Sequence, residues 1–582
     1  MKIVLAQQNY HIGNFENNTR KIIEAIDRAK KENADLIVFS ELAICGYPPR
    51  DFLEFEDFIN ACYNAIDIIK QHTENIGVIV GCPQRNPQAE GKDLFNAAWL
   101  LFEKDVKGVA HKTCLPTYDV FDENRYFEPA YNWNIIEFKN KKIALTICED
   151  IWNLGDNPLY RICPMDELIK QQPDVMINIS ASPFDYDHDK DRKEVVRANV
   201  LKYKLPMFYC NAVGSQTEIV FDGGSLVYDA SGNIVKELKS FEEDFFITVL
   251  EDLNELTVDS LQMTDKNKSV NSQPSSVNSF DKEMRVSKQN DPASIINYLT
   301  AENNIAQIHA ALILGIRDYF YKMGFTKAIL GSSGGIDSAV VLALACEALG
   351  KENVRAILMP SHFSTTHSVS DAELLSKNLG NEYDIIPIKN IYDAFLTELK
   401  PVFKDLPFNV AEENIQSRSR GNLLMAIANK FGYILLNTSN KSELSTGYGT
   451  LYGDMAGGLS VLGDIYKMQV YALAKYINRN DEIIPQNIID KAPSAELRPE
   501  QKDSDSLPEY DVLDKVLYQY IEKRQGPKEI IAMGIDKDLV NRILKLVNTN
   551  EYKRNQFCPI IRVSCKAFGV GRRMPIVGKY LS

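Results

Sequence analysis

The sequence predicts an α/β protein built from two globular regions, and three observations carry that expectation. Over residues 1–255, short runs rich in β-branched and aromatic residues alternate with amphipathic helical patterns. Residues 256–292 then turn to Ser, Asn, Lys and Asp, a composition that cannot build a packed core and reads as a polar linker. Over residues 293–582 strands and helices alternate again at βαβ spacing. That alternation predicts a doubly wound, Rossmann-like parallel sheet with its ligand at the carboxyl ends of the strands.

In the first region the expected strands are 3–6, 36–40, 78–82, 97–102, 143–147, 175–179, 207–210 and 245–249, with helices over 17–31, 55–71 and 191–204. In the second region strands are expected at 327–331, 354–359, 384–388 and 433–437, and helices at 338–349 and 369–379. The chain has 582 residues, 45% hydrophobic and 25% charged, which excludes collagen, coiled coil and disorder. No apolar run approaches the roughly 18 residues of a membrane span, and the opening apolar stretch is too short for a secretory signal. A cytoplasmic protein with no membrane partner is expected.

The net charge of −14 argues against general nucleic-acid binding. The end of the chain departs from that balance. Residues 551–582 hold seven cations (Lys553, Arg554, Arg562, Lys566, Arg572, Arg573, Lys579) against one acid, Glu551. The ten cysteines include no C-x-x-C pair, so reduced and mostly buried thiols are expected.

Three residues at strand ends could do chemistry together. Glu41 opens ELAICGYPP, Lys112 opens KTCLPTYDVFDENRYF, and Cys148 follows strand 143–147. A cysteine at a strand-to-helix turn is expected to expose its thiol beside backbone N–H groups. Amide hydrolysis through a thioester needs a base, a nucleophile and an oxyanion donor, and these three side chains supply one of each. Singly, each is more often core or solvated surface. In order, E-L-x-x-x-G-Y-P-P, H-K-x-x-L-P and I-C-E-D-I-W resemble the nitrilase, or carbon–nitrogen hydrolase, superfamily. That resemblance implies an αββα sandwich with Glu41 as base, Lys112 as oxyanion stabiliser and Cys148 as nucleophile. It also implies a further acid after the lysine, for which Glu123 competes with Asp122 and Glu128. In glutamine-using members a tyrosine and a serine contact the substrate, matching Tyr118 and Ser182. The basic residue usually six positions after that serine is replaced here by His188.

In the second region strand 327–331 runs into Gly331, Ser332, Ser333, Gly334, Gly335, Ile336, Asp337 and Ser338, and then a helix. Such a loop turns backbone N–H groups toward phosphate, and the helix N-terminus adds positive charge. No G-K-[ST] follows, so the ordinary P-loop is excluded. An aspartate in a phosphate loop implies Mg²⁺. S-G-G-x-D-S resembles the loop of ATP pyrophosphatases, which leave AMP on a carboxylate; ammonia can then attack the anhydride. An amidase joined to such a domain has a chemical reason to exist, since ammonia is mostly protonated in neutral water.

Residues 359–368, 412–422, 438–454 and 551–554 carry further motifs, and the whole resembles the glutamine-dependent NAD⁺ synthetases. The resemblance implies L-glutamine, ATP and deamido-NAD⁺ as substrates, Mg²⁺ held by Asp337 and Glu443, and ATP contacts from residues 331–338 and Thr438. Deamido-NAD⁺ is implied at Asn414, Glu443, Tyr448, Gly449, Thr450, Leu451 and Lys553, with the basic tail neutralising phosphate. Related ammonia-only enzymes often have lysine at the position of Leu451, so a contact there is lost or made by backbone. A homo-oligomer is implied too, an octamer among its forms. Three other readings stand beside this one: an amidase fused to a ligase for another carboxylate, a non-catalytic regulatory protein, and a tRNA-adenylating enzyme.

Overall fold

The structure, a computed structural model, describes residues 1–154, 158–186, 188–253, 292–499 and 501–581. The chain divides into two compact units, Met1–Ser287 and Lys288–Ser582. The predicted linker lies, except for Pro292, outside the described residues.

The first unit has two six-stranded sheets. In spatial order one contains Asp244–Val249, Lys2–Gln7, Leu36–Val38, Gly77–Arg85, Leu94–Phe102 and Asp105–His111. The other contains Ile234–Glu237, Leu226–Tyr228, Met207–Asn211, Val175–Ser180, Lys141–Ile147 and Ile136–Phe138. Strand periodicity sorts side chains into layers. Ile3, Leu5, Leu36 and Val38 meet Ile143, Leu145, Ile177 and Phe208 between the sheets. Val4, Ala6, Ile37 and Val78 face the other way, against Ile22 and Ile26 of helix Phe15–Lys31 and Ile59 and Ile66 of helix Glu56–Lys70. On the far side Ala144, Met176 and Tyr209 pack on Val196 and Val200 of helix His188–Tyr203. These are the four layers of an αββα sandwich.

In the second unit five parallel strands run in the spatial order Glu382–Ile385, Val354–Leu358, Ala328–Gly331, Ile434–Asn437, Leu459–Ser460. The first strand in sequence, Ala328–Gly331, lies inside the sheet, and the chain extends from it first one way and then the other. A crevice therefore opens at its carboxyl end, beside Ile434–Asn437. Leu424 and Ala428 of helix Val410–Phe431 cover one face of the sheet at Ile329 and Ile357.

Strand 384–388 was expected too late: it pairs over Glu382–Ile385, because the backbone of Ile388 already leads into helix Lys389–Phe403. The thiols agree with expectation; all ten cysteines are free. No helix among the described residues is long and apolar enough to cross a membrane.

Candidate functional site

In the first unit, strand ends carrying Glu41, Lys112 and Cys148 and the start of helix Glu123–Tyr126 form one buried cluster, each of the four residues at most 5% exposed. Lys112 Nζ donates to Glu41 Oε1 at 2.8 Å and to Glu123 Oε1 at 2.7 Å. Asn96 Nδ2 donates to Glu41 Oε1 at 2.7 Å, and Ala181 N donates to Glu41 Oε2 at 2.9 Å. Tyr47 OH donates to Glu123 Oε1 at 2.7 Å. The turn carrying Glu41 lies so close to strand Gly77–Arg85 that a Cβ at Gly81 would stand 2.2 Å from Leu42 N.

Of the three acids that competed after Lys112, Glu123 joins the cluster. Asp122 takes the N-cap position of helix Glu123–Tyr126, and Glu128 accepts instead from Lys92 N and Tyr131 OH.

Cys148 begins the turn Cys148–Ile151 directly after strand Lys141–Ile147, with φ +44, a left-handed conformation rarely held by a side-chain-bearing residue without support. Asp150 provides that support. Its Oδ2 accepts from Ile147 N at 3.0 Å, and its Oδ1 accepts from Thr113 N at 3.0 Å and Cys114 N at 2.9 Å, tying the turn to the segment after Lys112. The expectation of an exposed thiol is corrected: Cys148 is 4% exposed, because the turn folds into the apolar layer between the sheets.

Burial, and then the Glu41 carboxylate, push the Cys148 thiol well above the usual range, with Lys112 pulling against them. A thiol placed there gives up its proton less readily. Burial alone would lower the Lys112 ammonium, but Glu123 and Glu41 hold it protonated well above its usual range. An ammonium has three donors, and among the described residues two are engaged, with Glu41 and Glu123. Tyr118 OH donates to both oxygens of Glu149, at 2.9 and 3.0 Å, and burial pushes that carboxyl up to about 7. Ser182 is buried, its N donating to Asn211 Oδ1 at 2.8 Å. His188 opens helix His188–Tyr203, and its side chain lies outside the described residues.

In the second unit a cavity of about 590 Å³ opens at the carboxyl ends of Ala328–Gly331 and Ile434–Asn437. Residues 331–337, Thr438, Asn414, Glu443, Tyr448, Gly449, Thr450, Leu451 and Lys553 all line it. Ser338 is not among the lining residues; it braces the loop from behind, accepting from Ser333 N at 3.3 Å and donating to Gly335 O at 3.0 Å. Gly334 has φ +77, and a Cβ there would stand 2.2 Å from Ser368 O.

Asn440 and Glu443 cap helix Lys441–Thr446 reciprocally, so Glu443 is both a cap and a cavity wall. Thr450 Oγ1 donates to Asn414 Oδ1 at 2.8 Å, and Arg418 Nε donates to Leu451 O at 3.2 Å. Lys553 Nζ donates to Gly447 O at 2.7 Å and Gly449 O at 2.9 Å.

Sequence reasoning missed Lys467 and Asp503. Lys467 Nζ bonds Asp337 Oδ2 at 2.5 Å and lies 3.5 Å from Glu443 Oε1. Asp503 accepts from Tyr448 OH at 3.1 Å and Tyr510 OH at 2.9 Å. Neither sits in a recognisable motif; only the fold brings them to the loop. Burial, then the Asp337 charge, push Glu443 up to about 8.

The basic tail does less at this cavity than expected. Arg554 donates to the carbonyls of Leu444, Ser445 and Val547, and both Arg554 and Arg572 bond Glu551. These arginines fasten the C-terminal segment, and of the seven tail cations Lys553 is the one that lines the cavity.

The carbon–nitrogen hydrolase family matches residues 2–258 and the NAD synthase family matches residues 308–557. The chain is 43% identical to a glutamine-dependent NAD(+) synthetase of Synechocystis, covering 99% of this chain and 98% of the relative. It is 41% identical to that of Thermotoga maritima, covering 100% and 99%. A solved glutamine-dependent NAD⁺ synthetase of Acinetobacter baumannii, in complex with ADP, superposes with a TM-score of 0.73 at 36% identity, covering 99% of this chain and 98% of that one. With both chemistries laid out along one chain and full-length likeness at these identities, the chain belongs to the glutamine-dependent NAD(+) synthetase family.

Proposed function

We propose that this protein converts deamido-NAD⁺ to NAD⁺, taking nitrogen from the side-chain amide of L-glutamine and releasing glutamate, AMP and pyrophosphate. The observation that carries this reading is that two sets of chemical groups share one chain: a buried carboxylate, ammonium and thiol in one unit, and a glycine-lined cavity of about 590 Å³ in the other.

In the first unit Glu41 takes the Cys148 proton as the sulfur attacks the glutamine amide carbon. The third donor of Lys112 meets the oxyanion, a contact of the kind worth roughly 10²–10³ in rate. Glu41 returns the proton to the departing nitrogen, and ammonia leaves a thioester. Water, deprotonated by Glu41, then releases glutamate and restores the thiol. Tyr118 and Ser182 orient glutamine, and the assignment extends to His188 for its carboxylate.

In the second unit the glycine-rich loop of residues 331–337 borders the ATP phosphates, with Thr438 beside them. Asn414, residues 448–451 and Lys553 hold deamido-NAD⁺. A nicotinate carboxylate oxygen attacks the α-phosphorus, pyrophosphate departs, and ammonia then displaces AMP.

Asp337 and Glu443 suit Mg²⁺, which takes one or two carboxylates and completes its shell with phosphate and water oxygens. Among the described residues no three His, Cys, Asp or Glu side chains form a metal cage. When bound, the ion neutralises phosphate charge; Lys467 supplies a fixed positive charge beside it. The reading extends to a cytoplasmic homo-oligomer, checked by sedimentation.

Cys148→Ala tests the split: glutamine-driven synthesis should vanish while ammonia-driven synthesis persists. Asp337→Ala should abolish synthesis from either nitrogen source and spare glutamine hydrolysis. Loss of both activities in the first variant, or synthesis surviving in the second, contradicts the reading.

A further inference from the structure

We infer that Asn96 is a positioning residue that holds the Glu41 carboxylate in place as the base by bridging Glu41 and Glu123. The inference rests on the role proposed above for Glu41.

Two carboxylates share one ammonium in this cluster, and an accounting of their oxygens shows what balances the excess charge. Glu41 Oε1 receives Lys112 and Asn96, and Glu41 Oε2 receives Ala181 N. Glu123 Oε1 receives Lys112 and Tyr47, and Glu123 Oε2 receives Asn96 Nδ2 at 3.3 Å. The Asn96 amide thus gives one N–H to each acid. Without that amide one ammonium is left to balance two buried carboxylates, and such a pair binds a proton more readily; burial and the neighbouring acid already push Glu123 up.

The side chain is aimed for this purpose. Asn96 is fully buried, in the otherwise apolar strand Leu94–Phe102. Its Oδ1 has no hydrogen-bond partner among the described residues, an arrangement that costs stability. A leucine would fill the volume without that cost, so the donor half is what this asparagine contributes. Its backbone takes part as well: Asn96 O accepts from Lys112 N at 2.9 Å, fixing the strand that carries the amide to the residue that carries the ammonium.

The test compares Asn96→Leu, which keeps the branched shape of asparagine, and Asn96→Asp, which is close to it in volume, both lacking the paired donors, with Glu41→Gln alongside. Glutamine hydrolysis is measured across pH, and covalent labelling of Cys148 by a diazo-ketone analogue of glutamine reports an intact pocket. We expect near-stoichiometric labelling at slow rate, glutamine KM within about threefold of the parent, kcat lowered at least about tenfold, and the acid limb of kcat/KM raised by about one pH unit. Should the leucine variant fail to fold, the aspartate variant decides. A kcat within threefold of the parent with an unmoved acid limb, in either folded variant, overturns the inference. Glutaminase activity surviving in Glu41→Gln would instead overturn the role of Glu41 itself, and the two failures are told apart by that control.

Discussion

Replacing Lys112 by methionine removes the one cation between two buried acids. The parent side chain is fully buried and bonded at 2.8 and 2.7 Å to Glu41 and Glu123. Removing one partner from a buried ionic cluster costs ~3–5 kcal/mol, since the remaining charge is left uncompensated. For a unit of this size that is a fall in Tm of roughly 6–20 °C at neutral pH.

The pH dependence gives the sharper test. A carboxyl whose folded pKa lies above its unfolded value takes up a proton on folding, so it weakens the fold at high pH and ceases to do so as pH falls through the folded value. Burial already pushes Glu123 up, with Lys112 pulling it down. Without Lys112 it rises further, so the Tm gap between parent and variant should be widest near pH 8 and shrink toward about pH 5. Differential scanning calorimetry of the full chain measures this directly. Glutamine-driven turnover should fall at least ~10²-fold as the oxyanion donor is lost, while ammonia-driven turnover persists. A gap that stays constant or widens on acidification refutes the electrostatic account of the cluster.

Two further changes probe the second unit. Gly334→Ala places a Cβ against Ser368 O at a positive φ, a combination costing ~1–3 kcal/mol of loop geometry; the KM for ATP should rise at least about fivefold with either nitrogen source, and glutamine hydrolysis should not change. Glu443→Gln keeps the cap of helix Lys441–Thr446 in shape but removes a hard anionic donor, so half-maximal synthesis should need several-fold more Mg²⁺, read from a titration at saturating ATP.

Local chemistry was legible in the sequence wherever the fold uses contiguous residues. A strand running into Gly-Gly-Ile-Asp can turn only a few ways, so residues 331–337 were found, and all of them line the cavity. The same holds for Glu41, Lys112 and Cys148, each just past the end of a strand. Contacts between distant segments were hidden. Lys467 reaches Asp337 across 130 positions, and nothing near it announces that. Asn96 had a faint signal, a lone amide inside an apolar strand. The exposed thiol was misjudged because strand–turn geometry says nothing about what packs over the turn. Charge in a sequence does not distinguish binding from anchoring: Lys553, the tail cation assigned to the site, lines the cavity, while Arg554 spends its donors on the carbonyls of Leu444, Ser445 and Val547.

The most direct measurement follows the nitrogen atom. The full-length protein is given glutamine labelled with nitrogen-15 in its side-chain amide, together with ATP, Mg²⁺ and deamido-NAD⁺, and the products are read by mass spectrometry. The account predicts label in the carboxamide of NAD⁺, with one AMP and one pyrophosphate per NAD⁺, and no labelled NAD⁺ from the Cys148→Ala protein. Label that stays in free ammonia while deamido-NAD⁺ is left unchanged, or ADP and phosphate in place of AMP and pyrophosphate, would contradict it.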